Sequence, residues 1–400
     1  MNPKAVRGPR IIFYSHDTFG LGHLRRSRTL AGALTEADPT ASALILTGSP
    51  IAGRFAFPGR VDHIRLPGVT KLADGSYVSQ TLGLDIDEVT NLRSAIIQST
   101  ITAYEPDLLI VDKEPTGFRG ELLPSLHSLQ GTHTCCVLGL RDVLDDADVL
   151  KAEWERKGAT EAADRYYDDI WVYGPDSFYD PTQGLPLSEE TRKRIHWTGF
   201  LQREMVGEAP EDEDAYILVT PGGGGDGAAM VDLVLSAYEQ APDLQPHAKI
   251  VYGPFLSGDT RGAFEDRVAK LNGRVDAIGF ESEIESLHAG AVGVVCMGGY
   301  NTFCEVLSFD KRAVIVPRIK PRKEQFIRAS RAEELGLVRM LSPERGELTP
   351  EAVARAIRAL PTQPKPSEAG AKALLRGLPH VVERVANLLP GNIYHPTGAK

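Results

Sequence analysis

The sequence has few cysteines and no long apolar run. Its 400 residues include four cysteines, Cys135, Cys136, Cys296 and Cys304, and none of them forms a CxxC pair. This spacing favours small buried side chains in a reducing compartment over a metal site or a disulfide framework. The N-terminal MNPKAVRGPRIIFY lacks an apolar segment of signal-peptide length, and no run approaches the roughly 20 apolar residues of a membrane span. We therefore predict a cytoplasmic protein without a transmembrane segment.

An excess of basic residues is also missing. The 44 Lys and Arg residues stand against 54 Asp and Glu residues, which gives a formal net charge of −10. Such a balance disfavours a general affinity for nucleic acid or for anionic membranes, so no nucleic-acid partner is predicted. The length is too great for one ordinary core and suits two α/β domains.

Short apolar runs alternate with helical stretches in both halves of the chain. The strands expected from this alternation are 11–15, 42–47, 107–112, 134–138, 169–173, 216–220, 249–252, 275–279, 292–297 and 313–316. The main helices expected are 88–104, 228–240, 301–309 and 324–334. This order indicates parallel sheets covered by helices. We predict the α/β fold class, with two doubly wound Rossmann-like domains facing each other across a cleft.

Composition sets the expected domain boundaries. An acidic run, GEAPEDEDA, separates the two series of strands and is typical of a linker. The prediction is an N-terminal domain over 1–200, a linker over 201–214, a C-terminal domain over 215–390 and a polar tail over 391–400.

A glycine-rich loop, PGGGGDG, follows the first strand of the second half and precedes a helix. Its glycines Gly222, Gly223 and Gly224 allow a ligand to approach the backbone closely, and the free N–H groups of a helix start favour an anion. The loop is interpreted either as a diphosphate contact, which we favour, or as an ordinary flexible connection. It lacks the Lys of a Walker motif.

The block 296–329 carries the strongest signal. Its first strand ends at Gly298-Gly299, and the following Asn301 and Thr302 are suited to cap the next helix. Glu305 follows about one turn into that helix, where a carboxylate can accept hydrogen bonds from ribose hydroxyls. A further strand then ends at Pro317. After it come the basic residues Arg318, Lys320 and Arg322, any one of which is a candidate to neutralise a diphosphate, and then Glu324-Gln325.

This order resembles the C-terminal donor-binding half of glycosyltransferase family 28, within the GT-B superfamily of nucleotide-sugar transferases. The shared pattern is small-Gly-x-x-Thr-x-x-Glu, a strand ending in Pro and a Gln-bearing helix start. The resemblance implies that Gly299 and Thr302 lie against the donor diphosphate and that Glu305 binds the ribose. It also implies that Glu324 and Gln325 contact the donor sugar, and that the segment 279–284, with Phe280 and Glu281, holds the base. The family's usual Gly-Leu-Pro is replaced by Asp310-Lys311-Arg312, and Glu324 stands where Gln is more usual, so the sugar stays open.

The loop Gly20-Leu21-Gly22-His23 is similar to the family's glycine-rich loop ending in His, on the acceptor side. In the superfamily a His at this place often serves as general base, and an imidazole of ordinary pKa near ~6.5 suits that role. His16 is the next candidate. Asp112, at a strand end, either orients His23 or acts as the base itself. A helix cap for His23 and a turn cap for Asp112 remain the structural alternatives.

The resemblance implies a glycosyltransferase that moves a hexose or N-acetylhexosamine from a UDP-sugar, or a dTDP-sugar, to an acceptor hydroxyl. Neither a cofactor nor a metal is expected to be obligatory, because Asp85-Ile86-Asp87 is interpreted as a chance match to a metal-binding DxD. The Glu-x7-Glu of retaining enzymes is absent, since Met297 occupies the first Glu position, which favours inversion. The acceptor stays open between a lipid-linked sugar, a polysaccharide and a small molecule; the first implies peripheral contact with the inner membrane face. The alternatives are a UDP-sugar hydrolase, a non-hydrolysing 2-epimerase or a non-catalytic sugar-nucleotide-binding protein.

Overall fold

Two units, each built on one parallel sheet, make up the computed structural model of the chain. Unit 1 is Met1–Gly199 with Gly377–Lys400, and unit 2 is Phe200–Arg376. The structure describes residues 7–16, 20–72, 75–204, 215–223, 225–389 and 394–397. The predicted linker therefore lies mostly outside the described residues, as does Gly224.

Unit 1 contains a seven-stranded parallel sheet and a separate two-stranded hairpin. Its strands are β1 Arg10–Ser15, β2 Ser42–Thr47, β3 Val61–Arg65, β4 Val69–Lys71, β5 Tyr77–Ser79, β6 Leu108–Asp112, β7 Cys135–Arg141, β8 Asp169–Tyr173 and β9 Ile195–Trp197. The order across the large sheet is β3-β2-β1-β6-β7-β8-β9, and β4 pairs with β5. Strands β6 and β8 are buried along their whole length, as continuous apolar runs are when helices cover both faces of a sheet.

Six helices of unit 1 precede residue 199. They are α1 Gly22–Ala37, α2 Ile86–Tyr104, α3 Leu123–Leu129, α4 Ala147–Lys157, α5 Ala159–Tyr166 and α6 Glu189–Lys193. Asp85 caps α2 by accepting from the backbone N–H groups of Asp87 and Glu88, and the Glu88 side chain completes a capping box. The DxD sequence is thus a helix start, which supports the interpretation that its match to a metal motif is fortuitous.

Unit 2 has a six-stranded parallel sheet in the order β12-β11-β10-β13-β14-β15. The strands are β10 Tyr216–Thr220, β11 His247–Val251, β12 Val275–Ile278, β13 Gly293–Cys296, β14 Ala313–Ile315 and β15 Arg339–Met340. The helices are α7 Ala228–Gln240, α8 Gly258–Ala269, α9 Ile284–Gly290, α10 Tyr300–Ser308, α11 Glu324–Glu334, α12 Pro350–Ala359 and α13 Ala371–Leu374.

Both sheets reverse their strand order once, between β1 and β6 in unit 1 and between β10 and β13 in unit 2. In doubly wound folds ligands bind at this reversal, outside the carboxyl ends of the strands. The predicted residues between 16 and 23, Asp112, the glycines at 222–224 and the segment 298–305 follow or end these four strands in the sequence. The predicted fold class, α/β with two doubly wound Rossmann-like domains, is confirmed.

The C-terminal segment differs from the predicted boundaries. Helix α14, Gly377–Leu388, packs against α1 and belongs to unit 1, whereas the prediction placed residues up to 390 in the second domain. Beyond it, Tyr394 is buried and its hydroxyl donates to the Leu34 carbonyl over 2.9 Å. The described part of the expected polar tail is therefore packed onto unit 1.

Among the helices of the described residues, none combines the length and the apolar character needed to cross a membrane.

Candidate active site

His23 and Asp112 meet at the strand reversal of unit 1. Tyr14 of β1 pairs with Val111 of β6, so Asp112 leaves the sheet beside the end of β1, where α1 begins. His23 lies in the first turn of α1, and its Nδ1 is 2.6 Å from Asp112 Oδ2. An ionised carboxylate can only accept, so Nδ1 carries the proton and the neutral ring has its lone pair on Nε2. This tautomer is the one that a general base requires.

Arg26 also contacts Asp112, and its Nη2 lies 3.2 Å from His23 Nδ1. Its Nε and Nη2 atoms donate to Asp112 Oδ1 over 3.0 Å and 2.7 Å, and both side chains are buried. Burial alone raises the pKa of Asp112, but the adjacent Arg26 and His23 outweigh it, so the pKa lies below its usual range. Asp112 is therefore a permanent carboxylate at neutral pH. It is suited to orient His23 and unsuited to take up a proton itself.

His16 lies next to this pair without joining it. Its ring centroid is 5.8 Å from that of His23, in an edge-to-face arrangement. Burial lowers the pKa of His16 to about 3, and its Nδ1 has no hydrogen-bond partner among the described residues. A ring of such low basicity is a poor proton acceptor, which favours His23 over His16 as the base.

The loop after Asp112 has a strained backbone. Lys113 adopts φ 72° and Arg119 adopts φ 49°, in the left-handed region that side chains disfavour. The loop is held in place because the Lys113 N–H donates to the Gly139 carbonyl and the Phe118 N–H donates to the Tyr14 hydroxyl. Strain of this kind concentrates where a site fixes a reacting group.

Two glycine segments flank the strand reversal of unit 2. Gly222 follows β10 and adopts φ 89°, while Gly298 follows β13 and adopts φ 75°, so both positions favour glycine. A Cβ on Gly299, the N-cap of α10, would meet no atom within 4 Å. Open space at the start of a nine-residue helix is suited to an anion. Gly223 lies in the same loop as Gly222 and is partly buried.

Arg318 joins the glycine loop to the start of α11. Its Nε lies 2.8 Å from Asp226 Oδ2, and its Nη2 donates to Glu324 Oε1 over 2.6 Å. The Arg318 backbone N–H donates to Gln325 Oε1 over 3.2 Å. The structure thus brings Glu324 and Gln325 together with Arg318, which already has two carboxylate partners.

Glu305 is enclosed. Its side chain is 1% exposed, and its Oε2 lies 3.1 Å from Nε2 of His288, a buried residue of α9. The carboxylate is therefore not presented to solvent in this structure.

Asn301 and Thr302 do not cap α10 as expected. The helix begins one residue earlier, at Tyr300, with Gly299 as its N-cap and no side-chain cap bond. Asn301 Oδ1 instead accepts from Arg203 Nη2 over 2.7 Å, and Thr302 is buried. Asn301 is thereby committed to a contact within unit 2.

The remaining predicted residues lie in loops after strands or at the start of a helix. Phe280 and Glu281 follow β12 and are partly buried, and Glu281 Oε1 accepts from the Glu283 N–H over 2.9 Å. Arg322 is also partly buried. Gly20 has φ 88°, and Gly22 is the first residue of α1.

Sequence reasoning missed two residues. Arg26 follows the glycine-rich loop that ends at His23 and was given no role; its spacing of three residues from His23 on a helix could have placed both on one face. His288 carried no signal, because a single His in a short helix does not reveal which side chain it meets.

Comparison with known proteins points to the same family as the sequence pattern. Residues 216–385 match the sequence model of the glycosyltransferase family 28 C-terminal domain. A UDP-N-acetylglucosamine--N-acetylmuramyl-(pentapeptide) pyrophosphoryl-undecaprenol N-acetylglucosamine transferase of Haemophilus influenzae (strain PittGG) is 26% identical over 133 residues. The match covers 32% of this chain and 37% of that protein, so the chain spans little more than a third of the curated relatives it matches.

Solved structures match over nearly the whole chain. A UDP-glucosyltransferase from Polygonum tinctorium has a TM-score of 0.65 at 13% identity, covering 97% of this chain and 100% of its own. The glycotransferase of kitacinnamycin has a TM-score of 0.63 at 15% identity, covering 96% and 100%. At these identities the likeness concerns the fold. Together the comparisons confirm the GT-B fold and the resemblance of residues 216–385 to the family 28 C-terminal domain.

Proposed function

We propose that the chain transfers a sugar from a nucleotide diphosphate sugar, most simply a UDP-sugar, to an acceptor hydroxyl with inversion. The observation that carries this proposal is the 2.6 Å contact between His23 and Asp112, together with the Arg26 contacts that keep Asp112 ionised. It supplies a base at the strand reversal of unit 1, while the family match supplies the donor domain in unit 2.

In the proposed reaction His23 Nε2 takes the proton of the acceptor hydroxyl. The acceptor oxygen then forms a bond to the anomeric carbon, and the bond from that carbon to the diphosphate oxygen breaks. The electron pair leaves with the nucleoside diphosphate. Asp112 stabilises the imidazolium and keeps the ring in place, because its carboxylate accepts from Nδ1 throughout.

The leaving diphosphate is proposed to bind at the glycines after β10 and β13. The start of α10 offers unpaired backbone N–H groups and open space above Gly299. Arg318 can add a positive charge if the diphosphate replaces Asp226, whose side chain is 40% exposed. Exposed ion pairs contribute about 0–1 kcal/mol, so this exchange costs little.

Glu305 is the proposed ribose ligand, with Glu324 and Gln325 for the donor sugar. Because these three side chains are buried, binding requires a local rearrangement that exposes them. The segment with Phe280 and Glu281 is proposed for the base. The structural neighbour from Polygonum tinctorium is a UDP-glucosyltransferase, which supports uracil as that base.

A lipid-linked acceptor is the proposal that the exposed apolar side chains of unit 1 support. Leu72, Leu82, Leu84, Leu92 and Leu123 are each more than a third exposed. The relative from Haemophilus influenzae is named for a pyrophosphoryl-undecaprenol substrate. Peripheral contact with the membrane would accompany such an acceptor.

The test measures release of UDP from UDP-hexoses and UDP-N-acetylhexosamines, with lipid-linked sugars, polysaccharides or small aglycones as acceptors. We expect acceptor-dependent release that falls about 10²- to 10⁴-fold in His23→Ala. His127→Ala, an exposed His of α3, is the matched control and should act like the wild type. The anomeric configuration of the product, read by NMR, tests inversion.

Each alternative has its own outcome in this assay. UDP release at the same rate without acceptor favours the hydrolase, and recovery of an altered UDP-sugar favours the epimerase. Nucleotide binding without turnover across the whole panel would leave a non-catalytic binding protein.

A further inference from the structure

A buried histidine lies against the carboxylate proposed for ribose binding. The side chains of His288 and Glu305 are 0% and 1% exposed, and Nε2 is 3.1 Å from Oε2. The two atoms are within reach of a hydrogen bond, although the ring is not aligned for a good one. The Phe309 ring lies on the same histidine, with centroids 6.2 Å apart. His288 Nδ1 has no hydrogen-bond partner among the described residues.

An enclosed carboxylate needs donors, because a buried charge without them is strongly destabilised. His288 holds Nε2 at 3.1 Å from Oε2, and a rotation of its ring aligns an N–H group there to donate. Its helix, α9, packs against α10, the helix of Glu305. A donor on Oε2 fixes the rotation of the carboxylate and so determines where its lone pairs point. His288 therefore influences any hydroxyl that Glu305 accepts from.

We propose that His288 is a positioning residue that orients Glu305 for the ribose hydroxyls of the donor nucleotide. This inference rests on the proposed function, since it assumes that unit 2 binds a nucleotide through Glu305. The segment 279–283, proposed for the base, immediately precedes α9. His288 thus connects the part of unit 2 that selects the base with the group that selects ribose.

The prediction separates orientation from general packing. If His288 acts through Glu305, its loss weakens the binding of ribonucleotides and leaves the binding of deoxynucleotides unchanged, because only ribonucleotides offer the hydroxyl. A site built to hydrogen-bond a hydroxyl rejects the analogue that lacks it. A packing defect would weaken both kinds of ligand alike.

The experiment is calorimetry of the full chain with UDP, 2′-deoxy-UDP and 3′-deoxy-UDP. We expect the wild type to bind UDP more tightly than at least one deoxy analogue. His288→Phe, which removes the donor, should weaken UDP about tenfold and that analogue less than twofold. His288→Gln keeps an N–H donor and should retain most of the preference. His288→Leu is measured as well, in case the larger ring prevents folding.

Two further variants complete the design. Glu305→Gln should abolish the ribose preference, and His288→Phe added to it should cause no further loss, because the two residues act on one contact. His247→Phe is the matched control: His247 begins β11 and pairs with the exposed Asp276.

Equal weakening of UDP and the deoxy analogue in the His288 variants would overturn the proposal, as would no weakening in any of them. A wild type that binds UDP without any ribose preference would also overturn it, while leaving the transferase proposal intact. A wild type that binds no nucleotide would contradict the proposed function itself.

Discussion

The carboxylate of Asp112 serves two donors with its two oxygens. Arg26 donates to Oδ1 through two nitrogens, and its Nη2 also reaches Oδ2, the oxygen that His23 approaches, so Arg26 makes most of its contacts with Oδ1. Arg26 has no acceptor atom, so the oxygen of any amide placed here must face Arg26. The amide nitrogen would then face His23 Nδ1.

This geometry gives the prediction for Asp112→Asn. An N–H group facing Nδ1 makes that nitrogen an acceptor, so the proton moves to Nε2 and the ring can no longer act as base. We expect the turnover number to fall about 10²- to 10⁴-fold. The affinity for UDP, measured by calorimetry, should stay within about twofold because the nucleotide is proposed to bind unit 2. Normal turnover with a folded variant would refute the base assignment.

His16 gives a prediction on pH and stability. Its pKa is lowered to about 3 in the folded chain, against an ordinary value near 6.5, so the unfolded chain binds a proton first on acidification. The stability contributed by the neutral ring is present above pH 6.5 and is lost as the pH falls towards 3. The slope it adds is at most about 1.4 kcal/mol per pH unit.

The measurement is urea unfolding between pH 7 and pH 4.5, followed by tryptophan fluorescence. All three tryptophans, Trp154, Trp171 and Trp197, belong to unit 1, so this signal reports the unit that contains His16. His16→Gln should flatten the pH dependence. An unchanged slope would contradict the assignment of a neutral buried ring.

At the scale of elements, one buried carboxylate helps to hold α14 within unit 1. Asp169 at the start of β8 accepts from Arg384 Nε over 2.7 Å and Arg384 Nη2 over 3.0 Å. Trp171 Nε1 donates to the same carboxylate over 2.7 Å, and His196 Nε2 lies 3.0 Å away. Asp169 is fully buried, so its charge depends on these partners.

Arg384→Ala should therefore lower the free energy of unfolding of unit 1 by about 3 kcal/mol, at the lower end for a broken buried pair because Trp171 and His196 remain. The check is urea unfolding followed by the same tryptophan signal. Lys193→Ala is the control, since Lys193 pairs with Glu190 at the surface of unit 1 and should contribute less than about 1 kcal/mol. Equal losses of unfolding free energy in the two variants would show that the contact of Arg384 with Asp169 contributes no more than a surface ion pair.

Much of the element order could be predicted from the sequence. The strands 42–47, 169–173 and 216–220 and the helices 228–240 and 324–334 have the predicted bounds. Buried parallel strands are continuous apolar runs ending in polar loops, which makes them visible locally. The cap of α10 was wrong because a polar pair next to glycines leaves the helix start uncertain by a residue.

The candidate site was only partly predictable. His23 and Asp112 were named because glycines and strand ends mark them. Tertiary packing determines which of these side chains meet. It sets the hydrogen bond between His23 and Asp112, the contacts of Arg26 with Asp112, and the burial of Glu305 against His288. A sequence shows which residues stand at strand ends, but it does not show which side chains face one another.

At the scale of the whole molecule, the sequence indicated two domains but not which one the C-terminal helix joins. The apolar face of α14, with Val381 and Val385 buried, could pack against either unit. Its partners are set by long-range contacts such as that of Arg384 with Asp169, 215 residues apart in sequence. No local pattern encodes such a pairing.

Helix α14 is translated after unit 2 but belongs to unit 1, and this order has a consequence for biosynthesis. A ribosome delivers residues 1–199 first, yet these cannot acquire the partner of Asp169 until the segment from Gly377 onward has emerged. Unit 2 is continuous in sequence, so all of its strands and helices emerge before α14, the last helix of unit 1. The half of the molecule that is translated first is thus the last to finish folding, and during synthesis its vacant α14 surface is exposed to chaperones and to neighbouring nascent chains.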